Sequence, residues 1–181
     1  MSNSLVPIEA PFPPDVASIL AKYPQQDGYI LSLFRTFANS PRFLTKAVPN
    51  LLDKGSPLTL RTREIVILRT TAKRRCEYEW GVHVAIFARA ARLTEDQVRA
   101  TVLDDTECWS PSERGLISAV DQLCDTAILD DKTGAQFRED WNVQEQLEIL
   151  ALVGNYTTIS LVANVASLPR EPFAARFPTS N

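Results

Sequence analysis

Residues 63–90 read REIVILRTTAKRRCEYEWGVHVAIFARA, and this stretch sets the fold and the candidate chemistry together. Thr59 is placed to cap a helix running to about Lys73, with Ile65, Leu68 and Ala72 on one face. A second helix is expected from about Cys76 to Ala91. The connection between them is too short for anything but antiparallel neighbours. His83 is the single histidine of the chain, with Glu79 four residues before it, Cys76 seven before and Glu64 nineteen before. At about 100° per residue, seven positions return to within roughly 20° of the starting face. Cys76 and His83 therefore share a helical stripe flanked by Glu79 and Trp80, and Glu64 can face it from the preceding helix. A thiol, an imidazole and two carboxylates on one pocket would suit acid–base chemistry. Structural roles are open to the same residues: a packed histidine, a small buried Cys76, and a Glu64 paired with Arg61 or Arg63 along its own helix.

The flanking sequence also punctuates as helix. A short helix after Asp15 is expected to reach about Lys22. Tyr29, Leu33, Phe34 and Phe37 recur at helical spacing, and Ser40-Pro41 reads as an N-cap with proline at the first helical position. The helix it opens carries Pro49, which predicts a kink or break. Thr94-x-x-Gln97 and Ser110-x-x-Glu113 are capping boxes, the second opening a helix to about Leu129 with Leu116, Val120, Leu123 and Ala127 inward. Thr133-x-x-Gln136 is expected to start a short helix ending near Trp141, and a long one covers about 143–167, ended by Pro169. No run alternates apolar and polar residues over strand length, so the expected fold is all-α, a single-domain helical bundle. Its bounds are 15–168, between Pro-rich arms at 1–14 and 169–181.

The 181 residues are 45% hydrophobic and 23% charged, with net charge −3 and pI near 5.3. That balance speaks against nucleic-acid binding and against polybasic membrane attachment. Residues 147–168, LEILALVGNYTTISLVANVASL, are long enough to span a bilayer. Glu148, Asn155, Thr157, Thr158 and Asn164 make a buried helix the better reading. The N-terminus lacks a basic start followed by an apolar run, and Cys76, Cys108 and Cys124 lie too far apart for a disulfide framework. The expected location is the cytoplasm.

The pattern E64-x11-C76-x-x-E79-x3-H83, the Arg61-x-Arg63-Glu64 opening, the block Tyr78 to His83 and the closing run LEILALVGNYTTISLVANV resemble the carboxymuconolactone decarboxylase and alkylhydroperoxidase D superfamily. The resemblance is to a Cys-poor subgroup and covers about residues 25–168. Redox members resemble E-x11-C-x-x-C-x3-H, so Glu79 stands where their second cysteine would be. The resemblance implies the alkylhydroperoxidase D-like helical fold and a cofactor-free enzyme that decarboxylates or isomerises a small cyclic organic acid or lactone. His83 would be the acid/base, Glu64 or Glu79 its orienting group and Tyr78 a further donor; Arg74 or Arg75 could meet an anionic substrate. A thiol peroxidase built on Cys76 is the alternative activity, and a non-catalytic binding protein the alternative class. Cys76, Glu79 and His83 would offer zinc three ligands, one short of a closed structural site, so no metal is expected. Expected partners are a small-molecule substrate and further copies of the chain, as dimer, trimer or hexamer. The apolar anchors Phe12, Phe173 and Phe177 on the arms would be costly to leave in water.

Overall fold

In the computed structural model, residues 5–25 and 27–179 are described; the outermost residues of both proposed arms, 1–4 and 180–181, lie outside them. The described residues contain nine α-helices and no strand. These are α1 (Pro14–Leu20), α2 (Ser32–Phe37), α3 (Pro41–Lys46), α4 (Leu60–Lys73), α5 (Glu77–Phe87), α6 (Glu95–Leu103), α7 (Pro111–Thr126), α8 (Asp131–Asp140) and α9 (Val143–Val165).

The core is organised around α4, which packs against α5, α6, α7 and α9. Every residue from Arg63 to Thr71 is buried, so α4 is enclosed on all sides rather than showing one apolar face. Arg69 is the most fully paired of its buried polar members. Arg69 forms a fork with Asp121 at 2.5 and 2.7 Å, and also engages Asp104 and the Thr101 carbonyl. Such pairing is the condition for burying a guanidinium. α4 ends in a tight reversal: Arg75 takes a left-handed φ of 53°, and the Cys76 amide donates to the Thr71 carbonyl at 2.9 Å. This turn folds α5 back along α4 and brings His83 level with Glu64.

The expected caps at Ser40, Thr59, Thr94 and Ser110 are all formed, the last two as full capping boxes. Elsewhere the boundaries move for identifiable reasons. α1 begins at Pro14 with no side-chain cap, so Asp15 lies in its first turn instead of capping it. Tyr29 lies outside α2, its hydroxyl committed to Glu171. α3 stops at Lys46, before Pro49. Asp130, not Thr133, caps α8, its carboxylate accepting from the Thr133 amide at 2.7 Å. Ala127 is exposed at the left-handed C-cap of α7, not inward. A third capping box, Asn142 with Glu145, opens α9. This helix is long and apolar enough to cross a membrane, but Ile149, Leu152, Val153, Tyr156, Ile159, Ser160 and Ala163 are buried within the protein.

The segment after α9 folds back over α5. Glu171 is 2% exposed and accepts from the Tyr78 hydroxyl (2.5 Å), the Tyr29 hydroxyl (2.7 Å) and the Ser32 amide (3.0 Å). Phe177 packs edge-on against Trp80 at 5.1 Å, and Phe12 packs on the core. Of the three expected anchors, only Phe173 is substantially exposed, at 42%. The arms therefore cover their own chain, which removes most of the apolar-exposure argument for assembly. Gly81 makes the docking possible: a Cβ there would lie 2.2 Å from the Ala175 carbonyl oxygen, and the Ala175 amide donates to the Gly81 carbonyl at 3.1 Å. Gly81→Ala is expected to destabilise the fold by about 1–3 kcal/mol, the usual cost of overpacking. Its melting temperature should fall by roughly 2–4 °C per kcal/mol. Gly154→Ala, where the added methyl meets nothing within 4 Å, should show no such loss. Equal melting temperatures for the two variants would refute the role of Gly81.

Candidate active site

His83 sits on α5 at 3% exposure and is held from three sides. Its Nδ1 lies 2.8 Å from Glu64 Oε2 on α4. Its Nε2 lies 3.0 Å from the Tyr156 hydroxyl on α9 and 3.5 Å from Glu79 Oε1, one turn earlier on α5. Three helices thus fix one imidazole. Glu64 is fully buried and Glu79 nearly so.

Burial opposes charge on His83, but the two carboxylates outweigh it, Glu64 foremost, and push the imidazolium pKa up to about 10. The surroundings therefore favour the imidazolium form, with Nδ1 oriented on Glu64. Burial raises the Tyr156 hydroxyl well above the ordinary phenol range, helped by the negative charges of Glu79 and Glu64, while Arg63 pulls the other way. Arg63 is itself buried, with no acidic partner among the described residues, and its guanidinium approaches the Asp53 carbonyl at 3.4 Å. Arg61, the other candidate partner for Glu64, is instead paired with Glu113 at 2.7 Å.

Glu79, His83 and Tyr156 line a cavity of about 550 Å³. Its walls are apolar and in good part aromatic, including Leu33, Phe34, Phe37, Val82, Phe87 and Ile159. Exposed Lys22, Pro24, Pro49 and Asn50 lie at its rim. One oxygen of each carboxylate, Glu64 Oε1 and Glu79 Oε2, is buried with no hydrogen-bond partner among the described residues.

Of the five residues singled out from the sequence, the structure brings His83, Glu64 and Glu79 together. Cys76 and Tyr78 go elsewhere. Cys76 is the N-cap of α5, fully buried, and is not among the residues lining the cavity. Burial pushes its thiol up to about 11, outweighing the hydrogen bonds from the Glu79 and Tyr78 amides and from Ser160 that favour the thiolate, while the Glu79 charge adds to the rise. Tyr78 points to the opposite side of α5, where its hydroxyl donates to Glu171 and accepts from the Leu33 amide at 3.1 Å. Neither arginine considered for an anionic substrate reaches the cavity: Arg74 binds the Cys124 carbonyl and Thr157, and Arg75 is exposed in the turn. Among the described residues, no group of three His, Cys, Asp or Glu side chains is placed to hold a metal ion.

Tyr156 is the site residue that sequence reasoning missed. Its signal was the single tyrosine of a helix read as buried, where a phenol needs a polar partner.

Residues 41–122, which span α3 to α7 and hold Glu64, Glu79 and His83, match the carboxymuconolactone decarboxylase family model. Solved structures share the fold across more of the chain. An uncharacterised peroxidase-related protein from Silicibacter sp. TM1040 superimposes with a TM-score of 0.77 at 15% identity, over 98% of this chain and 100% of its own. The debrominase Bmp8 in its apo form gives 0.69 at 14% identity, over 95% of this chain and 94% of its own. A protein of unknown function from Agrobacterium tumefaciens, described as an antioxidant defence protein AhpD candidate, gives 0.60 at 19% identity. That match covers 65% of this chain and 82% of the other. No curated protein matches the chain. The family match is confined to residues 41–122, while the chain as a whole has the all-α fold of these solved structures.

Proposed function

We propose that this protein is a cofactor-free acid–base enzyme that protonates an enolate-like carbon of a small cyclic organic molecule. This is the step shared by lactone isomerisation and by decarboxylation. The observation that carries the reading is the chain Glu64–His83–Tyr156, ending at a cavity wall. Tyr156 is the group facing substrate and delivers the proton. Its phenolate is strongly disfavoured by burial, so delivery is coupled to transfer from His83 Nε2. Glu64 holds Nδ1 and stabilises the imidazolium. In decarboxylation, where CO2 leaves, the proton used is restored to His83 from solvent. In isomerisation the proton removed from the neighbouring ring carbon passes to the Glu79 carboxylate and returns to His83 Nε2, 3.5 Å from Glu79 Oε1.

Peroxidase chemistry through Cys76 is the less favoured reading. A fully buried thiol held near 11 supplies little thiolate at neutral pH, and Glu79 occupies the position of a resolving cysteine. The test uses a β,γ-unsaturated five-membered lactone in D2O, following both conjugation and deuterium uptake at the ring carbon. Cys76→Ser should retain the rate within about threefold, because Cys76 is off the cavity wall. Rapid peroxide consumption by the parent that disappears in Cys76→Ser, with no lactone turnover in either, would replace this reading with the peroxidase. We further propose a cytoplasmic location, which suits three free cysteines, and a homo-oligomer, which the exposed Val143, Leu147, Leu161 and Val165 along α9 would serve.

A further inference from the structure

One wall of the cavity is held by the segment that follows α9. α2 contributes Leu33, Phe34 and Phe37 to that wall and is only six residues long. In isolation a helix of this length does not persist in water, and Leu31, at its N-cap, supplies no side-chain cap. Its first two amides are satisfied all the same. Ser32 donates to Glu171 Oε1 at 3.0 Å, and Leu33 donates to the Tyr78 hydroxyl at 3.1 Å. That hydroxyl donates in turn to the same Glu171 oxygen at 2.5 Å, while Tyr29 donates to Oε2 at 2.7 Å. The cap that a neighbouring Ser or Asp ordinarily provides thus comes from 139 residues away.

Glu171 is 2% exposed. Burial disfavours its charge, but the bonds from Tyr78, Tyr29 and Ser32 outweigh it and hold its pKa below the usual carboxylate range. Tyr78 is on α5, the helix that carries His83, so one carboxylate joins α2 to the catalytic helix. Neither Glu171 nor Tyr78 is among the residues lining the cavity. The later part of α2 has a separate tie to the N-terminal arm, where the Ile8 amide donates to the Arg35 carbonyl at 3.2 Å. Loss of Glu171 would therefore free one end of the wall and leave the other attached.

Resting on the reading of this cavity as the substrate site, we infer that Glu171 and Tyr78 are positioning residues that fix the α2 wall, so that the docked C-terminal arm sets how tightly the cavity holds an apolar ring. They govern affinity. Proton transfer belongs to Glu64, His83 and Tyr156, on α4, α5 and α9. Two substitutions separate geometry from charge. Glu171→Ala strands the Tyr78 and Tyr29 hydroxyls and the Ser32 amide. Glu171→Gln keeps an oxygen for Ser32 and Tyr78, and its NH2 can donate to the Tyr29 hydroxyl. That hydroxyl need only turn to Ser32 Oγ, 3.4 Å away.

The test is made on the full chain, by calorimetry with indole as a neutral ring probe and by amide hydrogen exchange. Glu171→Ala should weaken indole binding at least ~10-fold, the scale of stranding buried hydrogen-bonding groups. The Ser32 and Leu33 amides should exchange at least ~10-fold faster. Amides of residues 65–68 in α4 should keep their protection, which separates a loosened wall from a loosened fold. Glu171→Gln should bind indole within about threefold of the parent. Should Glu171→Ala not fold, Tyr78→Phe makes the same test, with faster exchange at Leu33 and weaker indole binding expected. No indole binding by the parent, undiminished binding in the folded variant, or unchanged exchange in α2 overturns the inference. So does Glu171→Gln binding as weakly as Glu171→Ala. In the lactone assay Glu171→Ala should raise KM and leave kcat within about threefold of the parent. A parent that binds indole in this Glu171-dependent way but turns over no lactone refutes proton transfer and leaves the inference standing. Lactone turnover with a KM that Glu171→Ala does not move does the reverse.

Discussion

His83→Gln is expected to lower the rate of deuterium uptake and lactone conjugation by at least ~100-fold, the scale of one acid–base group. Glutamine keeps a polar side chain within reach of Glu64 and Tyr156 but cannot exchange a proton near neutral pH. Replacing the cation also leaves Glu64 without its counter-charge at full burial. Breaking a buried pair in this way costs about 3–5 kcal/mol, so the variant must first be shown folded by circular dichroism at the assay temperature. A folded variant with parental kinetics would end the acid–base account.

Tyr156→Phe should be nearly as damaging to turnover, again by about 100-fold or more, while leaving the fold almost untouched. The ring still packs edge-on to His83, whose centroid is 5.1 Å away, and the Glu64–His83 pair does not depend on the hydroxyl. The diagnostic is a fall in kcat at a melting temperature within about 3 °C of the parent. If Tyr156 served packing alone, kcat would hold. This contrast separates the group that touches substrate from the one that supplies it with protons.

The part of the site carried by α4 and α5 was legible because local rules governed it. The Thr59 cap fixes where α4 starts, and the reversal at Arg75 follows from a short connection. Together they align Glu64 with His83 across nineteen residues. Helical periodicity placed Glu79 beside His83 for the same reason. It could not tell which side of α5 faced the cavity. Cys76 becomes the fully buried N-cap, and Tyr78 is claimed by Glu171, 93 residues away. Tyr156 is brought in from 73 residues beyond His83 by α9 packing against α4 and α5, a contact that no local pattern encodes. The C-terminal arm likewise read only as Pro-rich. Its docking depends on a glycine whose missing side chain makes room for Ala175.

His83 is expected to rest as an imidazolium between buried carboxylates. As the only histidine, it gives an unambiguous 15N NMR signal. Its folded pKa is raised from 6.5 to about 10, so its contribution to stability is fully present below about pH 6.5 and is lost as pH rises through about 10. At pH 8 both ring nitrogens should be protonated in the parent, and Glu64→Gln should move the titration toward the ordinary range. A neutral imidazole in the parent at pH 8, titrating near 6.5, would contradict it.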